Sequence, residues 1–325
     1  MTTYANGWRH SLPRYAPSRK ISRRKDKPHF YQITDDIIRN VPFFFESPEF
    51  SFIHKHPKVQ QFIRDFWKWN AEVLWLLSST SHPYIEMQEK LAQLVGPYLG
   101  ETFVDLGCGT GNFCGRLFKL NGKQVKKIFA VDIDWESLAQ VPQTLRSVGY
   151  RQKVALAQTS TMSKMPIWPE SVDCVISSLG GLMYAGWWFE AENGGKLKLV
   201  CEGREALKKC LLDMNRIIKP GGHLAFSAPK PNPDFGAILR DSLWWLIKNG
   251  RFVDFVKILR RGFRAKKLSE FMHQVEREGH AHYISLEEWE KILRDAGFTM
   301  IDSNEGECYA KQGILAVARK VRNVN

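Results

Sequence analysis

The segment Phe103-Val104-Asp105-Leu106-Gly107-Cys108-Gly109-Thr110-Gly111 most restricts what this chain can fold into. It begins as a mostly apolar strand, passes through three glycines at alternate positions, and opens into a stretch with helical patterning over 111–120. Glycines so spaced remove side chains where backbone must come very near a ligand, and they admit left-handed conformations. The helix N-terminus behind them offers free N–H groups and the positive end of a dipole, which suits a carboxylate or phosphate. A second strand then ends at Asp132 (Phe129-Ala130-Val131-Asp132). A carboxylate at that position can accept both hydroxyls of a ribose. The spacing is GxGxG, which points away from the GxGxxG loop of nicotinamide and flavin enzymes.

Around this motif the pattern alternates. FVDLG, IFAVD, VDCVISS and HLAFSA read as strands, with helical stretches near 111–120, 135–148 and 203–218 between them. Alternation of this kind predicts a parallel sheet covered by helices on both faces. Residues 1–30 read as a basic arm without periodicity, and 31–99 as a helical, aromatic cap with helices over about 58–79 and 84–98. The nucleotide-binding core spans 100–228, and 229–283 forms a helical cap inserted over the substrate side. The core closes over 284–325, where Ser285 and Glu288 make a capping box, followed by two strands close enough to pair antiparallel.

Four motifs in order, DLGCGTG, VDID, MPIWPESVDCVISS and IIKPGGHLAFSA, resemble those of the class I S-adenosylmethionine-dependent methyltransferases, and among them the small-molecule, ubiquinone/menaquinone-type branch. The resemblance covers 100–228 and, more loosely, 284–320. It implies an α/β, Rossmann-like fold: a seven-stranded, mostly parallel sheet with helices on both faces, an antiparallel final strand and a helical cap insertion. It also implies S-adenosyl-L-methionine as cofactor. Asp105, Gly107, Gly109 and Gly111 then match the residues that hold its methionine end. Asp132 matches the ribose acid, with Ile133 beside the adenine. The family's usual Asp ahead of its LPF-like segment is missing, so the Thr161 hydroxyl and the Met162 backbone become the candidates for the adenine amino group. Ser177 and Ser178, at the end of the fourth core strand, are expected to face the sulfonium.

Methyl transfer is a displacement that needs alignment and, for protonated acceptors, a base. Histidine suits that role near neutral pH. His280, His282 and Tyr283, which close the cap, and Tyr184, which follows the fourth strand, are the catalytic candidates. No metal site is expected, because the six cysteines form no CxxC pair and read as reduced, buried thiols of a cytoplasmic protein.

Charge is uneven. The net charge is +13, and residues 1–30 and 248–267 each carry eight basic side chains against one acid. Such segments attract polyanions or anionic membrane surfaces. Over 251–264, Phe252, Phe255, Val256, Leu259 and Phe263 share one helical stripe beside Lys257, Arg260, Arg261 and Arg264. That is the composition of an interfacial helix. No apolar run approaches the ~18–20 residues that cross a bilayer. The leading expectation is methyl transfer to a small, apolar or amphipathic, lipid-like acceptor, by a cytoplasmic protein with peripheral contact to anionic membrane. The alternatives are an RNA methyltransferase using the basic arm, and a non-catalytic cofactor-binding or membrane-surface protein. The sequence does not indicate an oligomeric state.

Overall fold

The computed structural model describes residues 43–46, 57, 80–121, 124–151, 153–191, 197–260 and 262–321. The basic arm 1–30 and the expected helix over 58–79 lie outside them.

An eight-stranded sheet runs in the order β1-β4-β3-β2-β5-β8-β10-β9. Its strands are β1 (Phe43–Glu46), β2 (Thr102–Leu106), β3 (Lys127–Asp132), β4 (Lys153–Gln158), β5 (Val172–Ser178), β8 (Ile218–Pro229), β9 (Phe298–Glu305) and β10 (Gly313–Lys320). β10 lies antiparallel between β8 and β9, and the pairs from β1 to β8 are parallel. The fold is therefore the Rossmann-like, mostly parallel sheet with an antiparallel final strand. Six of these strands are those expected by position, and β4 completes the seven that the resemblance implies. The eighth, β1, falls inside the 31–99 stretch read as helical and aromatic, and it pairs with β4 from Phe43↔Ala155 to Glu46↔Gln158. Three consecutive phenylalanines favour extended backbone, and an edge partner is a tertiary opportunity that local pattern does not reveal.

Helices cover both faces. On one side lie α1 (His82–Val95), α2 (Asn112–Asn121), the short α3 (Trp135–Leu138) and α4 (Val141–Ser147). Met87, Leu91 and Val95 of α1 and Phe113 and Leu117 of α2 pack with Phe103, Ile128 and Ile176 of the sheet. On the other side α5 (Arg204–Ile217) and α9 (Leu286–Asp295) bury Leu207, Leu211, Met214, Trp289 and Leu293 against Val104, Val175 and Phe226. Each fully buried Leu or Phe contributes about 1.5–3 kcal/mol relative to exposure. Ser285 caps α9, its hydroxyl accepting from the Glu288 N–H at 3.2 Å, with Glu287 and Glu288 set in the first turn where acids complement the helix dipole.

One expected helix is broken. The stretch 135–148 divides at Ala139–Gln140 because Pro142 can open a helix but cannot sit inside one. The stretch 251–264 falls in α7 (Phe252–Arg260) and α8 (Gly262–Arg277), with residue 261 outside the described residues. Before them α6 (Phe235–Lys248) leaves the C-terminal end of β8. The hairpin β6–β7 (Trp187–Ala191 with Leu197–Glu202) stands beside the sheet.

Candidate active site

The glycine loop crosses from β2 to α2 at the C-terminal edge of the sheet, where ligands sit in folds of this kind. Gly107 and Cys108 both donate to the Val131 carbonyl, at 2.8 and 3.0 Å, which ties the loop to the end of β3. Gly107, Gly109 and Gly111 have φ of +74°, +52° and +81°, the left-handed region that side chains resist. Their surroundings differ. A Cβ on Gly107 would stand 2.3 Å from the Gly181 nitrogen, and one on Gly111 would meet Val141 at 3.2 Å, whereas one on Gly109 would meet nothing within 4 Å. The middle glycine thus borders open space, as a backbone that receives a ligand must.

Two carboxylates flank this loop. Asp105 is fully buried, and burial pushes its carboxyl up to about 7 while the Cys114 thiol, donating at 2.9 Å, works in the opposite direction. Asp132 is pushed up to about 6 by burial, against the hydrogen bonds it accepts. One of its oxygens (Oδ2) accepts from Gly109 N–H at 2.8 Å and the other (Oδ1) from Asp134 N–H at 2.9 Å. Each oxygen keeps a further lone pair, so the carboxylate both holds the loop open and can receive ribose hydroxyls. Half-buried Ile133 follows it, its carbonyl accepting from Gln158 Nε2.

On the expected adenine side, Thr161 and Met162 are both tied to neighbouring backbone or side chains. The Thr161 hydroxyl donates to Gly181 O at 3.1 Å, the Met162 N–H goes to Ser160 Oγ, and the Met162 carbonyl accepts from Phe189 N–H at 2.7 Å. The Thr161 proton and the Met162 carbonyl thus help hold the 179–189 segment over the loop, the Met162 N–H turns back to Ser160, and the Thr161 oxygen keeps lone pairs that an amino donor can use. Thr159 is the group the sequence reading passed over. Its N–H bonds the Asp132 carbonyl, and its buried hydroxyl has no hydrogen-bond partner among the described residues. A threonine at a strand end carries no signal of its own in sequence. Ser178, at the end of β5, likewise has a buried hydroxyl without a partner among the described residues, while the Ser177 hydroxyl accepts from Leu182 N–H. Two orphaned hydroxyls at strand ends, an open glycine and a carboxylate with spare lone pairs fit a polar nucleoside ligand.

Above the loop, a 3-10 turn over Gly181–Tyr184 carries Met183 and Tyr184 into a cluster with Met162, Trp187, Met272 and Tyr283. The phenols of Tyr184 and Tyr283 both reach Met272 Sδ at 3.7 Å, and burial drives each well above the ordinary phenol value. Tyr84 stands nearby, its ring 6.5 Å from that of Tyr309, and burial together with Asp105 pushes it up to about 12. Tyr309, Ala310 and Lys311 are held in succession at φ of 56°, 53° and 63°, strain of the sort that gathers at functional sites.

Of the two histidines, His282 is placed otherwise than a base requires. His282 is completely buried, with Nε2 3.1 Å from the Ala185 carbonyl and Nδ1 2.7 Å from an Arg204 guanidinium nitrogen. A guanidinium can only donate, so Nδ1 accepts and Nε2–H donates, which fixes the neutral tautomer. Burial lowers its pKa to about 4. With both nitrogens engaged, His282 is a strut between the cap and the β5 turn and is not placed to serve as a base. His280 stacks on Trp187, centroids 4.0 Å apart, with Nε2 3.9 Å from Glu278 on the outer side. Tyr184 and Tyr283 lie within the cluster over the loop, and His280 touches it through Trp187. Among the described residues no cluster of His, Cys, Asp and Glu could hold a metal ion.

A family model described as a methyltransferase domain matches residues 99–297, more than half of the chain. A search of curated proteins gives no match. Among solved structures, the methyltransferase in complex with the Trm112 activator of Haloferax volcanii superposes with a TM-score of 0.48 at 16% identity, covering 81% of this chain and 99% of that one. A methyltransferase of Aquifex aeolicus gives 0.44 at 19% identity, over 74% and 93%. The N-methyltransferase NodS of Bradyrhizobium japonicum, in complex with S-adenosyl-L-homocysteine, gives 0.43 at 14%, over 72% and 86%.

Proposed function

We propose that this chain, which belongs to the methyltransferase-domain family and takes S-adenosyl-L-methionine as its cofactor, transfers the methyl group to a small, apolar or amphipathic acceptor. The cofactor supplies an electrophilic methyl when bound. Asp132, the Thr159 and Ser178 hydroxyls and the backbone at Gly109 are the groups suited to hold it, by the geometry above.

The observation that carries the acceptor reading is the chemistry of the cluster over the loop. Met162, Met183, Trp187 and Met272 are buried there, and the phenols of Tyr184 and Tyr283 meet on the Met272 sulfur. Such a wall favours an apolar body and offers hydroxyl donors to orient one polar end. A phenol held above its ordinary value keeps its proton, so these tyrosines orient the acceptor and do not deprotonate it. With both nitrogens of His282 engaged, catalysis on this reading rests on alignment, and the acceptor atom arrives with an available lone pair.

The test is incubation of purified protein with methyl-labelled cofactor and fractionated cell extract. Label is expected in the organic-soluble small-molecule fraction. Label confined to RNA or protein would overturn the acceptor class.

A further inference from the structure

Helices α6 and α7 form a hairpin with two different apolar faces. The inner face holds Leu246 and Ile258, both buried, packed with Leu243, Trp245 and Phe255. It also fixes the hairpin to α1: the Trp245 ring stacks on His82 at 5.1 Å and the Ser242 hydroxyl meets that of Ser81 at 2.8 Å. The outer face is not needed for that packing, yet it is also apolar. Trp244 is 66% exposed, Phe252 61%, Val253 70% and Leu259 56%, with Ile247 and Val256 also exposed. The sequence placed Phe252, Phe255, Val256 and Leu259 in one stripe. The structure turns Phe255 inward and leaves the other three on the outside.

We propose that this outer face docks on the surface of a lipid bilayer rich in anionic lipid. Large apolar side chains set in water beside Lys248, Lys257 and Arg260, all exposed, are what an interfacial helix presents. Charge selects the occupant. The 248–267 segment carries eight cations against Asp254. A second copy docked on the same face would bring like charge against like, and an anionic surface does the opposite. A single-stranded nucleic acid would use aromatic faces for stacking, but Ile247, Val253, Val256 and Leu259 have none. Position supports the same occupant. α6 begins at Phe235, whose ring lies 6.1 Å from that of Tyr283, so the hairpin adjoins the cluster over the glycine loop.

Flotation of the full chain with vesicles tests this, using phosphatidylcholine alone and phosphatidylcholine containing phosphatidylglycerol. Two variants are compared, Phe252→Ser with Val253→Ser, and Lys248→Gln with Lys257→Gln and Arg260→Gln. All the positions are exposed, and retained binding of S-adenosylhomocysteine certifies the fold. The wild type is expected to float with the anionic vesicles and less so in high salt. The serine variant should partition at least tenfold more weakly, and the glutamine variant roughly a hundredfold more weakly, at about fivefold per cation. Emission from Trp244, isolated by difference from Trp244→Phe, should shift to the blue on binding. No flotation of the wild type would overturn the proposal. So would flotation indifferent to both variants, as when residues 1–30 alone carry it. Trp244 already shielded from acrylamide without vesicles, a dimer that Phe252→Ser dissociates, or the same variants abolishing binding to single-stranded RNA in place of vesicles would overturn it too.

Discussion

Gly107 and Gly181 lie backbone against backbone, so close that a Cβ on Gly107 would reach within 2.3 Å of the Gly181 nitrogen. The loop that leaves β2 and the turn that follows β5 are thus one packed unit. Gly107→Ala has to move backbone and hold alanine at φ +74°, so it is expected to lower stability by several kcal/mol. Gly109→Ala meets open space at φ +52° and should cost only about 1–2 kcal/mol. Thermal melts should rank the two in that order. Titration with S-adenosylhomocysteine should then show Gly109→Ala folded but weakened in binding, because its new methyl group occupies the ligand's side of the loop.

Asp132 predicts a pH dependence of cofactor affinity. Burial raises its carboxyl to about 6, and Asp134 adds a like charge beside it. Hydrogen bonds from ribose hydroxyls favour the ionised form, so affinity for S-adenosylhomocysteine should rise as pH increases from 5 to 7 and level off above. Asp132→Asn should flatten that rise, which separates it from Asp105, whose carboxyl is pushed up to about 7. Asp132→Ala should lose about 1.5–3 kcal/mol of binding, because hydrogen bonds to a charged acceptor disappear. Calorimetry at several pH values reads all three.

His282 predicts a pH dependence of stability. Burial depresses its pKa from 6.5 to about 4, so between those values the unfolded chain binds more protons. Its stabilisation is fully present above 6.5 and is lost as pH falls through about 4, about 3 kcal/mol in all. Buried Asp105 acts in the opposite sense, stabilising below its unfolded value and losing that effect as pH rises through about 7. The His282 contribution is therefore read as the difference in denaturant unfolding between wild type and His282→Gln. The substitution should itself cost about 1–3 kcal/mol at neutral pH, because it disturbs bonds to Ala185 and Arg204. The variant, once folded, should show the same pH–rate profile as wild type. A profile that loses its acid limb, the fall in rate at low pH, would restore His282 as a base.

Tyr184 and Tyr283 give the complementary expectation for catalysis. Both phenols stay protonated through the physiological range. Tyr184→Phe and Tyr283→Phe should each reduce kcat/KM by roughly ten- to thirtyfold, about 1.5–2 kcal/mol for a lost orienting hydrogen bond, without moving the pH profile. A larger loss accompanied by a displaced alkaline limb would indicate proton abstraction by a phenol.

The Gly107–Gly111 loop and Asp132 were legible in the sequence because their chemistry is local: a strand, a turn that only glycine makes, a helix start and a strand end. The antiparallel β9–β10 pair was legible for the same reason. The fate of His282 was not, because Arg204, which occupies Nδ1, lies 78 residues away on α5. Nor was the Thr159 hydroxyl, whose significance is a missing partner. β1 escaped because four extended residues acquire meaning only from β4. In α7 the hydrophobic pattern was visible, but which apolar residues turn inward depends on α6 and α1.

The position of β10 has a consequence for how the chain comes to be folded. Gly313–Lys320 sits between β8 and β9, so the ladder side of β8 from His223 to Pro229 finds its partner only after residue 320 has left the ribosome. Strands β2 to β5 can pair as they are synthesised, but β8 remains an open edge throughout the making of the cap. An open edge is a template for pairing with other chains. A nascent chain stalled within 229–312 should therefore be the aggregation-prone species, and any truncation that removes β10 should yield a protein that forms its glycine loop in part and does not stay in solution.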